Sequence, residues 1–261
     1  MTKPTRGRGG ASRRPADPPP AKGLWLYGRH PVEAALANPQ RSCHRLLATA
    51  EAHGRIGAGA RRPGLEVRIV ERAEIDRQLG PGAVHQGLAL SVAPLPGLDL
   101  KRSCAPEPGR NLVLMLDQIS DPHNVGAILR TAAAFEVRAV VMAERRSAPL
   151  GGTVAKAASG ALDLIPVIEV VNLARALDEL ASQGYWRVVL DGHAEASIDA
   201  APEVDNLVLV LGAEGEGVRR LVREHCDLAA RLPIAQAMES LNVSVACGIA
   251  LYALATRRGS A

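Results

Sequence analysis

Short, uninterrupted apolar runs recur through the second half of the chain, at Leu112–Leu116, Ala139–Met142, Leu164–Val167, Val188–Leu190, Leu207–Leu211 and Leu228–Leu232. They are too short for buried helices and lack polar alternation, which is how parallel strands covered on both faces read. Between them the apolar spacing changes to that of an amphipathic helix, at Val125–Phe135, Val154–Gly160, Leu173–Gln183, Val218–His225 and Val243–Arg257. Strand and helix in alternation predict an α/β architecture, a mostly parallel sheet with helices on both faces.

A smaller set of elements comes first. Arg45–Ala48, Glu66–Val70 and Gly87–Val92 read as strands, and Val32–Leu36 and Arg72–Leu79 as helices, the first with Pro31 near its first turn. Residues 24–95 are therefore expected to form a small α/β domain, with Trp25–Pro31 leading into its first helix. Residues 96–109, rich in Pro and Gly, read as a linker to a large domain over 110–261.

Charge changes the picture at the N-terminus. The whole chain is +4, yet residues 1–22 alone hold Lys3, Arg6, Arg8, Arg13, Arg14 and Lys22 against Asp17. The rest is close to neutral. This proline-rich stretch has no apolar periodicity, so residues 1–23 are expected to be a disordered basic tail. Such a tail either gathers phosphate backbone without sequence preference or serves as a solubilising extension. Cys43, Cys104, Cys226 and Cys247 show no metal-ligand spacing and read as reduced, buried thiols. No apolar run suits a membrane span and no signal region leads the chain, so a cytoplasmic protein with no metal and no membrane partner is expected. Six aromatic residues are a poor supply for base-stacking platforms.

Polar residues cluster just beyond three of the predicted strands, where α/β proteins bind ligands. In Asp121-Pro-His-Asn124, either Asp121 or Asn124 could cap the next helix, which carries Arg130 almost two turns on. Gly212-Ala-Glu-Gly-Glu-Gly217 has the order G-x-x-G-x-G, which matches neither the dinucleotide fingerprint nor the P-loop. Its two carboxylates suit a cationic or hydroxyl-bearing ligand, or they favour a helix N-terminus. Glu239-Ser-Leu-Asn-Val-Ser244 opens the last helix, with Ser240 or Asn242 as its cap.

In combination, N-x5-R, G-x-E-x-x-G and S-L-N-V-S resemble the SpoU (TrmH-type) branch of the SPOUT RNA 2′-O-ribose methyltransferases. The likeness runs from about Leu24 to the C-terminus. Tyr27-Gly-Arg-His-Pro-Val32 and Val84-His-Gln-Gly-Leu88 are similar to the family's small RNA-binding domain, and Asn172–Arg175 and Gly212–Cys226 to members acting on a guanosine of 23S ribosomal RNA. The resemblance implies methyl transfer from S-adenosylmethionine to a ribose 2′-hydroxyl, a deep C-terminal trefoil knot and a homodimer. It implies functional roles for Asn124, Arg130, Glu214, Ser240 and Asn242, with Asn124 orienting Arg130. It also implies cofactor contacts from Leu211, Gly212, Ala213, Gly217, Leu232, Ile234 and Leu241, and RNA contacts from Arg29, His30 and the tail arginines Arg6, Arg8, Arg13 and Arg14. Guanidinium groups stay protonated in proteins. Arg130 is thus expected to bind phosphate and stabilise charge developing on the 2′-oxygen, with its role as proton acceptor left open. Two other readings remain, the same chemistry on transfer RNA and a non-catalytic RNA-binding assembly factor.

Overall fold

The computed structural model describes residues 23–235 and 237–256. The first elements are β1 (Leu24–Tyr27), α1 (Arg29–Ala37), β2 (Cys43–Ala48), α2 (Ala50–Ile56), β3 (Glu66–Ile69), α3 (Arg72–Leu79) and β4 (Leu88–Val92). After α4 (Leu100–Ser103) come β5 (Asn111–Asp117), α5 (Pro122–Ala134), β6 (Ala139–Ala143), α6 (Gly152–Ala157), β7 (Val167–Val170) and α7 (Leu173–Ser182). The chain continues through β8 (Trp186–Leu190), β9 (Ala196–Ser197), β10 (Asn206–Gly212), α8 (Arg220–Glu224), β11 (Leu228–Arg231) and α9 (Val243–Thr256).

The first four strands make one sheet, in the order β1-β4-β2-β3. The other seven make a second, β7-β6-β5-β10-β8-β11-β9, in which every pairing is parallel. Successive residues of β5 feed opposite faces of that sheet. Leu112, Leu114 and Leu116 pack with α5, α6 and α9, whereas Val113 and Met115 pack with α4, α7 and α8. Coverage on both faces explains the absence of polar alternation in the sequence.

The first core cluster runs unbroken from Leu26 and Leu46 of the first sheet and Val32 of α1 into the α5 side of the second. Arg41 is buried in this join. Its Nε and Nη2 donate to the two carboxylate oxygens of Asp163 at 2.7 and 3.1 Å, and its Nη1 donates to the carbonyl of Ala93 at 3.2 Å. Nearby, Lys156 Nζ donates to Gln86 Oε1 at 2.9 Å, and burial lowers the pKa of that lysine.

Several local expectations shift. Leu164–Val167 is not a strand. Residues 161–163 form a 3-10 turn that carries Asp163 to Arg41, Leu164 is exposed, and β7 starts only after Pro166, which has no N–H for the ladder. The helix expected over Val218–His225 shortens to α8, because Arg219 is held extended by Asp117. The helix expected over Val154–Gly160 starts two residues earlier and ends at Ala157. The lead-in through Trp25 is strand β1, and α1 begins at Arg29. The stretch read as linker contains α4. All four cysteines are free, but only Cys104 and Cys247 are fully buried, Cys43 and Cys226 being half-buried. Burial pushes the Cys104 thiol up to about 11 and those of Cys226 and Cys247 up to about 12.

Candidate active site

Strands β5 and β10 lie side by side at the sheet centre, paired from Asn111–Asn206 to Asp117–Gly212. They end at the same level, so the loops that follow them emerge together. Asp117 closes β5 fully buried. Its Oδ2 accepts from the Arg219 backbone N–H at 2.9 Å and its Oδ1 from Arg219 Nε at 2.9 Å, with Arg219 Nη2 in ion-pair contact with Oδ1 at 2.7 Å. This charge-assisted pair, with the backbone bond beside it, ties the far end of the 213–218 loop to the sheet. Neither residue was singled out in the sequence, where the one signal is an acidic residue ending a continuous apolar run.

Asp121, not Asn124, caps α5, its carboxylate accepting from the His123 N–H at 3.0 Å. Asn124 is thereby free of capping duty, and its Nδ2 donates to Glu214 Oε1 at 2.9 Å. The same oxygen accepts from Asn242 Nδ2 at 2.7 Å and from the Val243 N–H at 3.2 Å. Asn242 Nδ2 also donates to Asn124 Oδ1 at 2.9 Å, closing a triangle of three side chains from the first turn of α5, the loop after β10 and the N-cap of α9. Asn242 caps α9 as well, its Oδ1 accepting from the N–H groups of Ser244 and Val245. One carboxylate anchors two amides and a helix N-terminus, where negative charge is favoured.

The glycine order in 212–217 has a steric origin. A Cβ on Gly212 would stand 2.2 Å from the carbonyl carbon of Gly217 and 2.3 Å from Val218 N. The loop folds back over the end of β10, with the Gly217 N–H donating to the Ala213 carbonyl at 2.9 Å. Gly215 and Gly217 take φ of +82° and +68°, conformations that side chains disfavour. Leu211 and Leu232 are buried, Leu241 packs on the core, and Ile234 is largely exposed. Across 232–241 the described residues make a single backbone hydrogen bond, Met238 N to the Ala235 carbonyl. The remaining peptide groups of that segment have no backbone partner among the described residues.

Other expected residues stand apart. Arg130 is exposed on α5 and makes no hydrogen bond or ion pair among the described residues. Within the chain Asn124 makes no hydrogen bond to it, its side-chain partners being Glu214 and Asn242, and a six-residue separation turns the two onto different faces and about 9 Å apart along the axis. Ser240 is exposed, and Asn242 rather than Ser240 caps α9. Arg29 forms an exposed pair with Glu33 at 2.8 Å, and His30 is exposed, its backbone lying against Gly160. Arg6, Arg8, Arg13 and Arg14 lie outside the described residues, as does Gln236. Among the described residues no helix is long and apolar enough to cross a membrane, and no group of three His, Cys, Asp or Glu could hold a metal ion.

Residues 111–252 match the model of the SpoU rRNA Methylase family, and residues 25–97 match that of the RNA 2′-O ribose methyltransferase substrate binding family. The chain is 42% identical over 244 residues to the 23S rRNA (guanosine-2′-O-)-methyltransferase RlmB of Xylella fastidiosa, covering 91% of this chain and 98% of that one. A TrmH-family structure from Porphyromonas gingivalis superposes with a TM-score of 0.73 at 27% identity, over 90% of each chain. The SpoU methyltransferase AviRb from Streptomyces viridochromogenes, solved with AdoMet, has the same fold, with a TM-score of 0.77 at 20% identity over 91% of each chain. A parallel α/β sheet in which the segments after β5, β10 and β11 share one polar cluster is thus that of a methylase, and the chain belongs to the SpoU rRNA methylase family.

Proposed function

We propose that the protein transfers a methyl group from S-adenosylmethionine to the ribose 2′-hydroxyl of a guanosine in 23S ribosomal RNA. The observation that carries this reading is the Asn124–Glu214–Asn242 triangle, set where the central parallel strands end. Identity of 42% to a 23S rRNA guanosine methylase over nearly its full length supports the substrate. The match of residues 25–97 to a substrate-binding family supports an RNA-binding role for the first sheet. The basic tail and the exposed Arg29 and His30 extend that role.

S-adenosylmethionine supplies a methyl group already activated on a sulfonium. Gly212 and the backbone of Leu232, Ile234 and Leu241 would hold it, alongside Leu211, Ala213 and Gly217. The protein must then align the ribose hydroxyl in line with the methyl and accommodate loss of its proton. Glu214 fixes both amides through Oε1, while its Oε2 accepts nothing among the described residues. We assign Oε2 and Ser240 to ribose hydroxyls and Arg130 to the adjoining phosphate and the developing oxyanion. The deep C-terminal knot that the family resemblance implies belongs to the same reading.

The distance of Arg130 from the triangle favours a homodimer in which each site borrows it from the other subunit. Val245, Ile249 and Tyr252 form an exposed apolar stripe on α9, which packs against α5 beside Arg130, with Thr131 facing Gly248. Mixing the inactive variants Arg130→Ala and Glu214→Ala tests this. Random pairing gives half heterodimers, each with one intact site, so about a quarter of wild-type activity should return. No recovery would place Arg130 in its own subunit's site.

A further inference from the structure

A groove of about 610 Å³ opens where the first sheet meets the first turns of α5 and α6. Trp25, Tyr27 and Leu79 form its apolar wall, and Gln78, His123 and Thr153 stand around it. Trp25 is half-buried, packed on the small core of Leu47, Ile75 and Ala89. The side chains of Tyr27, Gln78, His123 and Thr153 make no hydrogen bond among the described residues. The groove therefore offers a flat aromatic wall with unused donors and acceptors around it, the combination that recognises an unstacked nucleobase. Two of the six aromatic residues of the chain are placed here.

Position supports the same ligand. His123 precedes Asn124 on the first turn of α5, so the groove and the polar triangle share that turn. Gly23 also lines the groove, and in sequence it directly follows the segment carrying Lys3, Arg6, Arg8, Arg13, Arg14 and Lys22.

We propose that this groove receives an unstacked base of the substrate RNA, a neighbour of the methylated nucleotide, laid against Trp25 and hydrogen-bonded by Gln78, Thr153 and Tyr27. The proposal takes its ligand class from the RNA methyl-transfer reading above. Trp186 is the second tryptophan, so Trp186→Phe leaves Trp25 as the sole indole reporter in the full-length protein. Titration with an oligouridylate decamer is expected to quench Trp25 emission, and an abasic ribose-phosphate decamer of equal charge is expected not to. Gln78→Ala and Thr153→Ala should each raise KM for unmethylated 23S rRNA by ~2–10-fold, the range of one neutral hydrogen bond, with kcat and the Kd for S-adenosylmethionine unchanged. Equal Trp25 responses to both decamers, or unchanged KM in both variants, would overturn the assignment. Base-dependent quenching in a protein that failed to bind S-adenosylmethionine would uphold the groove and remove only the methyl-transfer reading.

Discussion

Asn242 serves two ends at once, capping α9 through its oxygen and holding Glu214 and Asn124 through its nitrogen. Substitution can separate them. Asn242→Ser keeps a capping oxygen but loses the amide donor, so stability should stay within ~0.5 kcal/mol of wild type while methyl transfer collapses. Asn242→Ala should lose activity and also ~1 kcal/mol of stability. Urea melts beside a methylation assay distinguish these outcomes. Equal activity in wild type and Asn242→Ser would show the triangle to be a capping device alone. Arg130 marks a limit of residue-scale reading. Its motif spacing links it to Asn124, but helix geometry points the two side chains to different faces, and the homodimer proposed above would reunite them.

At the scale of elements, the loop after β10 depends on close approach at one glycine. With the back of Gly212 filled by the Gly217 carbonyl and Val218 N, Gly212→Ala must push the whole 213–218 segment outward. We predict at least ~10-fold weaker S-adenosylmethionine binding by calorimetry, with unchanged far-ultraviolet circular dichroism; undiminished affinity would remove this loop from the cofactor site. The parallel strands and most helices were legible because burial on both sheet faces leaves continuous apolar runs separated by amphipathic spacing. So was the meeting of Asn124, Glu214 and Asn242, polar residues at strand tips, although Arg130 and Ser240, expected with them, stand apart. What escaped was set by long-range partners. Asp163 turns toward Arg41 and displaces the expected strand at Leu164, and Asp117 grips Arg219 and delays α8, through contacts spanning 122 and 102 residues. Local pattern carries no trace of such pairs. Strand β1 escaped because Trp25-Leu-Tyr27 runs straight into Gly28 and a helix, too briefly to show alternation.

For the whole molecule, the buried Arg41–Asp163 pair joins the two sheets, both side chains being 1% exposed. Removing one partner strands a buried charge, so Asp163→Ala should cost ~3–5 kcal/mol, whereas Arg41→Met with Asp163→Leu should restore much of that. Thermal melts of the three proteins check this, and a single variant as stable as wild type would contradict it. The fold, the join and the triangle all serve one reaction, which can be observed directly. Unmethylated 23S ribosomal RNA is incubated with the full-length protein and radiolabelled S-adenosylmethionine, and the labelled nucleotide is then mapped. The account predicts label in a single alkali-resistant 2′-O-methylguanosine, lost in Glu214→Ala. Label on a base, or label that persists undiminished in that variant, would contradict it.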